Sequence, residues 1–332
     1  MAHEILSTDP RLTWQGAASL ETNDDWVLPW RIPHEQALLF EEGLRERART
    51  TVGVRLSFVS DTIMLAGVIE PSDGEGAVDL YIDGEMVGTE DITEKERFGY
   101  DNLKPGKKTM ELWLPVAQQF RLRSLSLSDG AALEPFQDDR PKWITYGSSI
   151  THCGAAESPS MTWPGVVARA AGYNLTCFGF GGQCHLDALV AMTMCDLPAD
   201  YLSMCVGINI MGGGTLNIRT FRSSIIGFVR IVREKHLDTP FVVMSPIISK
   251  GRETVANSAG MHLVLMRQEV QAAVDVLRDC GDDNVHYVDG LDVMGAEQAH
   301  LLPDDLHPGP EGYKVMGQRF LDYAARPYFG AA

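Results

Sequence analysis

Three side chains have the types and spacing that acyl transfer needs: Ser149, at the end of the stretch Lys142 to Thr151, and Asp304 and His307 in Asp304-Asp305-Leu306-His307-Pro308. A serine hydroxyl is a poor nucleophile at neutral pH and needs a base within hydrogen-bonding reach. His307 is the candidate base. Asp304, three residues earlier in a short polar segment, is placed to hold the imidazole in the tautomer that accepts the serine proton and to stabilise it once protonated. Trp143, Ile144 and Tyr146 are strand formers, and Gly147 then lets the backbone turn sharply, so Ser149 is presented at the end of a strand. Singly, each residue has a plainer reading: Ser149 and Asp304 as caps, and His307 as a surface histidine near a helix start. Their joint placement is what points to catalysis.

Gly147-Ser148-Ser149-Ile150-Thr151 resembles the first block of the SGNH (GDSL-type) hydrolases. Gly179 to Gly182 resembles the second, Gly207-Ile208-Asn209 the third and Asp304 to His307 the last, in the family's order. The resemblance implies a serine esterase whose Ser, Gly, Asn and His set is Ser149, Gly182, Asn209 and His307, with Asp304 orienting His307 and no metal or other cofactor. Two positions depart from the pattern. Ser148 stands where the family usually has aspartate, and Ile210 follows Asn209 where aspartate is common.

The elements that must position these residues are legible from about residue 138 onward, where apolar strands alternate with helical patterns. Strands are expected at Trp143 to Tyr146, Asn174 to Phe178, Tyr201 to Val206, Phe241 to Ser245 and Val285 to Val288. Helices are expected at Thr162 to Ala171, His185 to Met194, Arg219 to His236, Gly260 to Cys280 and Pro310 to Ala325. Repeated strand-helix units predict an α/β fold: a flavodoxin-like parallel sheet of about five strands covered by helices on both faces. Ligands of such sheets collect outside the carboxyl ends of the strands, where Ser149, Gly182 and Asn209 all fall. The amides of Ser149 and Gly182 and the side chain of Asn209 are therefore the candidate oxyanion donors. Gly212-Gly213-Gly214 has no Lys-Ser or Lys-Thr after it, so it is not a phosphate-binding loop; it reads as a mobile loop beside Asn209. His152-Cys153 and Cys184-His185 match no standard zinc spacing.

Residues 1–137 have a different rhythm. Val52, Val54, Leu56 and Phe58 alternate with Gly53, Arg55 and Ser57, the period of a half-buried strand. Val78, Leu80 and Ile82 repeat it before Asp83-Gly84, a hairpin signal. Many short strands with turn residues between them predict an antiparallel β-sandwich, jelly-roll-like, as an accessory domain over residues 1–137, followed by the hydrolase domain over residues 138–332. His34 to Arg49 is the one helical-looking piece, with alternating charge. Trp26, Trp30 and Trp113 are available to stack on a sugar, although such rings more often fill a core. A sandwich ahead of an SGNH domain resembles the layout of some carbohydrate acetyl esterases.

The formal charge of −17 over 332 residues argues against nucleic acid or an anionic membrane surface as a partner. No apolar run reaches the roughly 18 residues of a membrane helix, and no secretory signal is evident. Six cysteines without the dense spacing of a stapled secreted domain fit a reducing, cytoplasmic setting. The expected activity is serine-dependent hydrolysis of a short acyl ester, acetyl above all, on a carbohydrate or glycosylated small molecule. The alternatives are a lipase or thioesterase for longer chains, or a carbohydrate-binding protein whose hydrolase half is inactive. An acyltransferase would use the same residues, and the sequence does not set the oligomeric state.

Overall fold

The computed structural model describes residues 3–331. They form two compact units that do not follow a single cut in the chain. One comprises the chain up to Leu38, Ala48–Arg140 and Ser158–Ser160; the other comprises Leu39–Arg47, Pro141–Glu157 and the chain from Met161 on.

In the first unit every strand pair is antiparallel. One sheet runs Ser19–Thr22, Val27–Trp30, Arg121–Leu127, Leu65–Glu70 and Arg97–Tyr100, with His3–Leu6 also on Arg121–Leu127. The other runs Leu133–Pro135, Arg55–Ser60, Lys108–Trp113, Ala77–Ile82 and Glu85–Asp91, with Thr13–Gln15 on Arg55–Ser60. Alternate residues of both sheets, among them Leu56, Phe58, Leu80, Met110, Leu122 and Leu125, share one apolar core, which offsets the entropy of ordering so many short strands. The Asp83-Gly84 hairpin is realised with positive φ at both residues (51° and 84°), as a two-residue turn between twisted strands requires.

Arg55–Ser60 is not half-buried as its alternation suggests. Arg55 and Ser57, on the polar side, are 1% and 0% exposed. That face carries a buried polar network: the Ser57 hydroxyl donates to Gln15 (2.6 Å), Arg55 donates to the Gly53 carbonyl (2.7 Å), and its guanidinium lies over Trp113. Trp30 and Trp113 are likewise buried and donate their indole N–H groups to Glu21 and Glu111, so they offer no open face for a sugar. The buried carboxylate of Asp79 gathers Ser158–Ser160 into this unit, accepting from the Ser158 hydroxyl (2.7 Å), the Ser160 amide (2.8 Å) and Thr89 (2.6 Å).

The second unit holds a five-stranded parallel sheet in the spatial order Asn174–Gly179, Lys142–Gly147, Tyr201–Cys205, Phe241–Met244, Val285–Val288. This is the flavodoxin-like order, whose switch point lies between the strand ending at Gly147 and the strand ending at Cys205. The strands are largely apolar on both faces because helices cover both.

Helix limits follow their caps. Thr162 caps Trp163–Ala171, Asn217 and Thr220 form a capping box on Ile218–Arg233, and the His262 ring caps Leu263–Asp279. The helix expected from His185 starts only at Ala188, because Leu186 is left-handed (φ 63°) and Asp187 is extended. The last helix, Pro310–Phe320, continues as a π-helix over Leu321–Phe329. Gly212 and Gly213 are not in a mobile loop. They end the short helix Ile208–Gly213, which Gly214 closes in a left-handed cap.

Candidate active site

The strand Lys142–Gly147 ends in an elbow that only glycine fits. A Cβ on Gly147 would stand 2.2 Å from Oγ1 of Thr151, well inside contact distance. The chain turns at once into the short helix Ser149–His152, capped by Ser148, whose hydroxyl accepts from the Ile150 amide at 3.2 Å. A serine at 148 thus supplies the capping acceptor that an aspartate would. Ile210, the second departure from the expected pattern, is fully buried, so an apolar side chain suits that position.

Beyond the far end of the chain's last sheet strand, a polar turn carries the other two residues. The Asp304 carboxylate accepts from the amides of Leu306 (3.0 Å) and His307 (2.6 Å) through one oxygen and from Nδ1 of His307 (2.6 Å) through the other. Nε2 of His307 lies 2.8 Å from Oγ of Ser149. Residues 149, 307 and 304 therefore form one continuous hydrogen-bonded run. With Nδ1–H directed at the carboxylate, Nε2 is left as an acceptor for the serine proton. Partial burial pushes the Asp304 carboxyl up, but the side-chain and amide hydrogen bonds from His307 and Leu306 outweigh it and hold it at about 2. The turn is fastened from outside by Ser249, whose hydroxyl donates to the carbonyl of Asp305 (2.7 Å), a non-glycine residue at φ 59°.

The second and third blocks meet beside this run. Gly182 is left-handed (φ 76°) and exposed, a conformation that glycine adopts without cost. Asn209 accepts from the amide of Cys184 through its side-chain oxygen (3.0 Å), which fixes the orientation of its NH2 group. His185, weighed in the sequence only as part of a zinc-like pair with Cys184, has a different role in the structure. Its Nε2 lies 3.1 Å from the Gly182 carbonyl and its Nδ1 2.9 Å from the Thr215 hydroxyl, so it bridges the loop carrying Gly182 to the segment after Ile208–Gly213. The only signal for it in the sequence is its place three residues after Gly182.

His152 and Cys153 face inward instead. The His152 ring lies 3.0 Å from the Gly179 carbonyl, and burial pushes the thiols of Cys153 and Cys184 well up, away from thiolate chemistry. Arg252 donates to the Ser249 hydroxyl and Lys250 lies 3.7 Å from the Asp305 carboxylate, both beside the His307 turn. A small apolar pocket opens among Ile150, next in sequence to Ser149, Leu306, next to His307, and Ile208, Pro246 and Ile247.

Residues 141–322, more than half of the chain, match the GDSL-like lipase/acylhydrolase family. The chain belongs to that family. As a GDSL-like acylhydrolase it also carries, at residues 12–123, a match to the N-terminal domain of SsfX3. The salicylyl-acyltransferase SsfX3 from a tetracycline biosynthetic pathway is 35% identical, with 99% of this chain and 97% of that one aligned at a TM-score of 0.90. A protein described as a GDSL-like lipase from Bacteroides ovatus aligns over 100% and 99% of the two chains at 20% identity and a TM-score of 0.82. A family two carbohydrate esterase from Cellvibrio japonicus aligns over 99% and 98% at 16% identity and a TM-score of 0.70. No curated protein matches the chain. Among the described residues, no helix is long and apolar enough to cross a membrane.

Proposed function

We propose that this GDSL-like acylhydrolase is a serine esterase of small ester substrates, its catalytic residues lying within residues 138–332. Ser149 attacks the ester carbonyl while His307 takes its proton and passes it to the leaving alcohol. Asp304 orients His307 and balances its charge. The amides of Ser149 and Gly182 and the Asn209 side chain stabilise the oxyanion, and water activated by His307 then releases the acyl group. The observation that carries this reading is the unbroken run from the Ser149 hydroxyl through His307 to the Asp304 carboxylate, at 2.8 and 2.6 Å.

The apolar lining of the pocket between Ile150 and Leu306 supports an uncharged acyl group there. An alcohol portion of carbohydrate type is supported by the similarity to carbohydrate esterases, which is a similarity of fold.

The 35% identity to a salicylyl-acyltransferase favours a second reading, in which an alcohol and not water accepts the acyl group. The test is a series of 4-nitrophenyl esters with and without added polyol. The esterase reading expects acetate to outrun butyrate and benzoate, and Ser149→Ala to lose at least about 10³-fold in kcat. A benzoate optimum, with acyl product diverted to the polyol, would favour the transferase. Wild-type turnover in the Ser149→Ala protein would refute both.

A further inference from the structure

The catalytic unit includes a segment from far upstream in sequence, Leu39–Arg47. It carries most of the short helix Glu42–Ala48, started by the Glu41 carboxylate accepting from the Leu44 amide (3.1 Å) and anchored by the buried Leu44. The helix lies close on the loop that bears the candidate oxyanion donor: a Cβ on Gly43 would stand 2.6 Å from Nε2 of Gln183. At the other end of the segment is Arg47, whose side chain is exposed. A Cβ built on Gly181 would stand 3.7 Å from both Cα and Cβ of Ser149 and 3.8 Å from Nε of Arg47. The guanidinium and the nucleophile thus border the same point of the loop. In a chain of net charge −17, this puts a permanent cation beside the reacting serine.

We propose that Arg47 is a specificity-determining residue that receives an anionic oxyacid group, a carboxylate or a phosphate, on the alcohol portion of the ester. The assignment to the alcohol portion follows from the apolar pocket at Ile150 and Leu306, which suits the acyl group and would penalise a charge. A guanidinium presents its N–H donors in a planar fork that matches two oxygens of a carboxylate or phosphate. The proposal rests on the esterase reading and extends it from an ester of unspecified alcohol to one bearing an acid.

The test compares kcat/KM for 4-acetoxybenzoate and 4-acetoxyphenyl phosphate with that for the neutral methyl 4-acetoxybenzoate, in the wild type, Arg47→Met and Arg47→Lys. One charge-assisted contact predicts that the ratio of anionic to neutral ester falls by about 10- to 100-fold in Arg47→Met and is partly kept in Arg47→Lys. The larger fall, with carboxylate or with phosphate, identifies the acid. A ratio unchanged within about twofold overturns the proposal, as does an equal loss on all three esters, which would mean that Arg47 only supports the loop. If the wild type cleaves none of the esters, the esterase reading fails separately. Calorimetric binding of 4-hydroxybenzoate and phenyl phosphate to wild type and Arg47→Met then decides the anion site, and equal affinities overturn it.

Discussion

Replacing Asp304 by asparagine isolates the electrostatic part of the proposed relay. The substitution keeps an oxygen that can accept from the amides of Leu306 and His307, so the turn should hold. What changes is the group facing Nδ1 of His307, now 2.6 Å from a carboxylate oxygen. An amide NH2 there would turn Nδ1 into an acceptor and move the ring proton to Nε2, where it points at Ser149 and the ring can no longer act as base. The lost charge interaction with the imidazolium can be bounded. The Asp304 and His307 side chains are 53% and 34% exposed, so the effective dielectric lies between that of a protein surface and that of water. A unit-charge pair about 4 Å apart is then worth about 1–4 kcal/mol, toward the lower end because of the exposure. Added to the wrong tautomer, this gives an expected loss of about 10² to 10⁴ in kcat with little change in KM. Steady-state kinetics on 4-nitrophenyl acetate at neutral pH, with circular dichroism to check the fold, measures it. A loss smaller than about fivefold would refute the claim that Asp304 sets the tautomer and balances the charge of His307.

Three further outcomes are expected. Asn209→Ala should lower kcat by about 10² to 10³ while Ser149 still reacts with a fluorophosphonate probe, because one oxyanion donor is removed and the relay is not; unchanged kcat would exclude Asn209 from the oxyanion site. Gly147→Ala forces a Cβ to 2.2 Å from Thr151 and should destabilise the protein by about 1–3 kcal/mol in urea melts; an unchanged midpoint would contradict the tight elbow. The Asp304 carboxyl, held at about 2 against an ordinary 3.8, stabilises the fold fully above about pH 4 and loses that contribution as pH falls through about 2. Urea midpoints of wild type and Asp304→Asn should therefore converge between about pH 4 and pH 2, and a constant gap across that range would show that the carboxylate is not held by these bonds.

Period and punctuation alone determined the fold class. Two-residue alternation with Asp83-Gly84 foretold the antiparallel sheets, and apolar runs between helical stretches foretold the parallel sheet, because these patterns record which side of each element faces away from water. The types and chain order of Ser149, Asn209, Asp304 and His307 were also readable, since each lies in a strand-end or loop position whose local chemistry is visible in a few neighbouring residues. Only the tertiary structure decided what depends on distant partners. It decided that Arg55 and Ser57 are buried, because Gln15 and Trp113 meet them there, and that the helix expected at His185 starts three residues later, freeing that imidazole to reach Gly182 and Thr215. It also decided that Leu39–Arg47 folds with the parallel sheet and brings Arg47 to Gly181, which Ser149 also borders. Local pattern registers how much apolar surface a segment must hide; which surface hides it is set by packing between residues that the chain order keeps far apart.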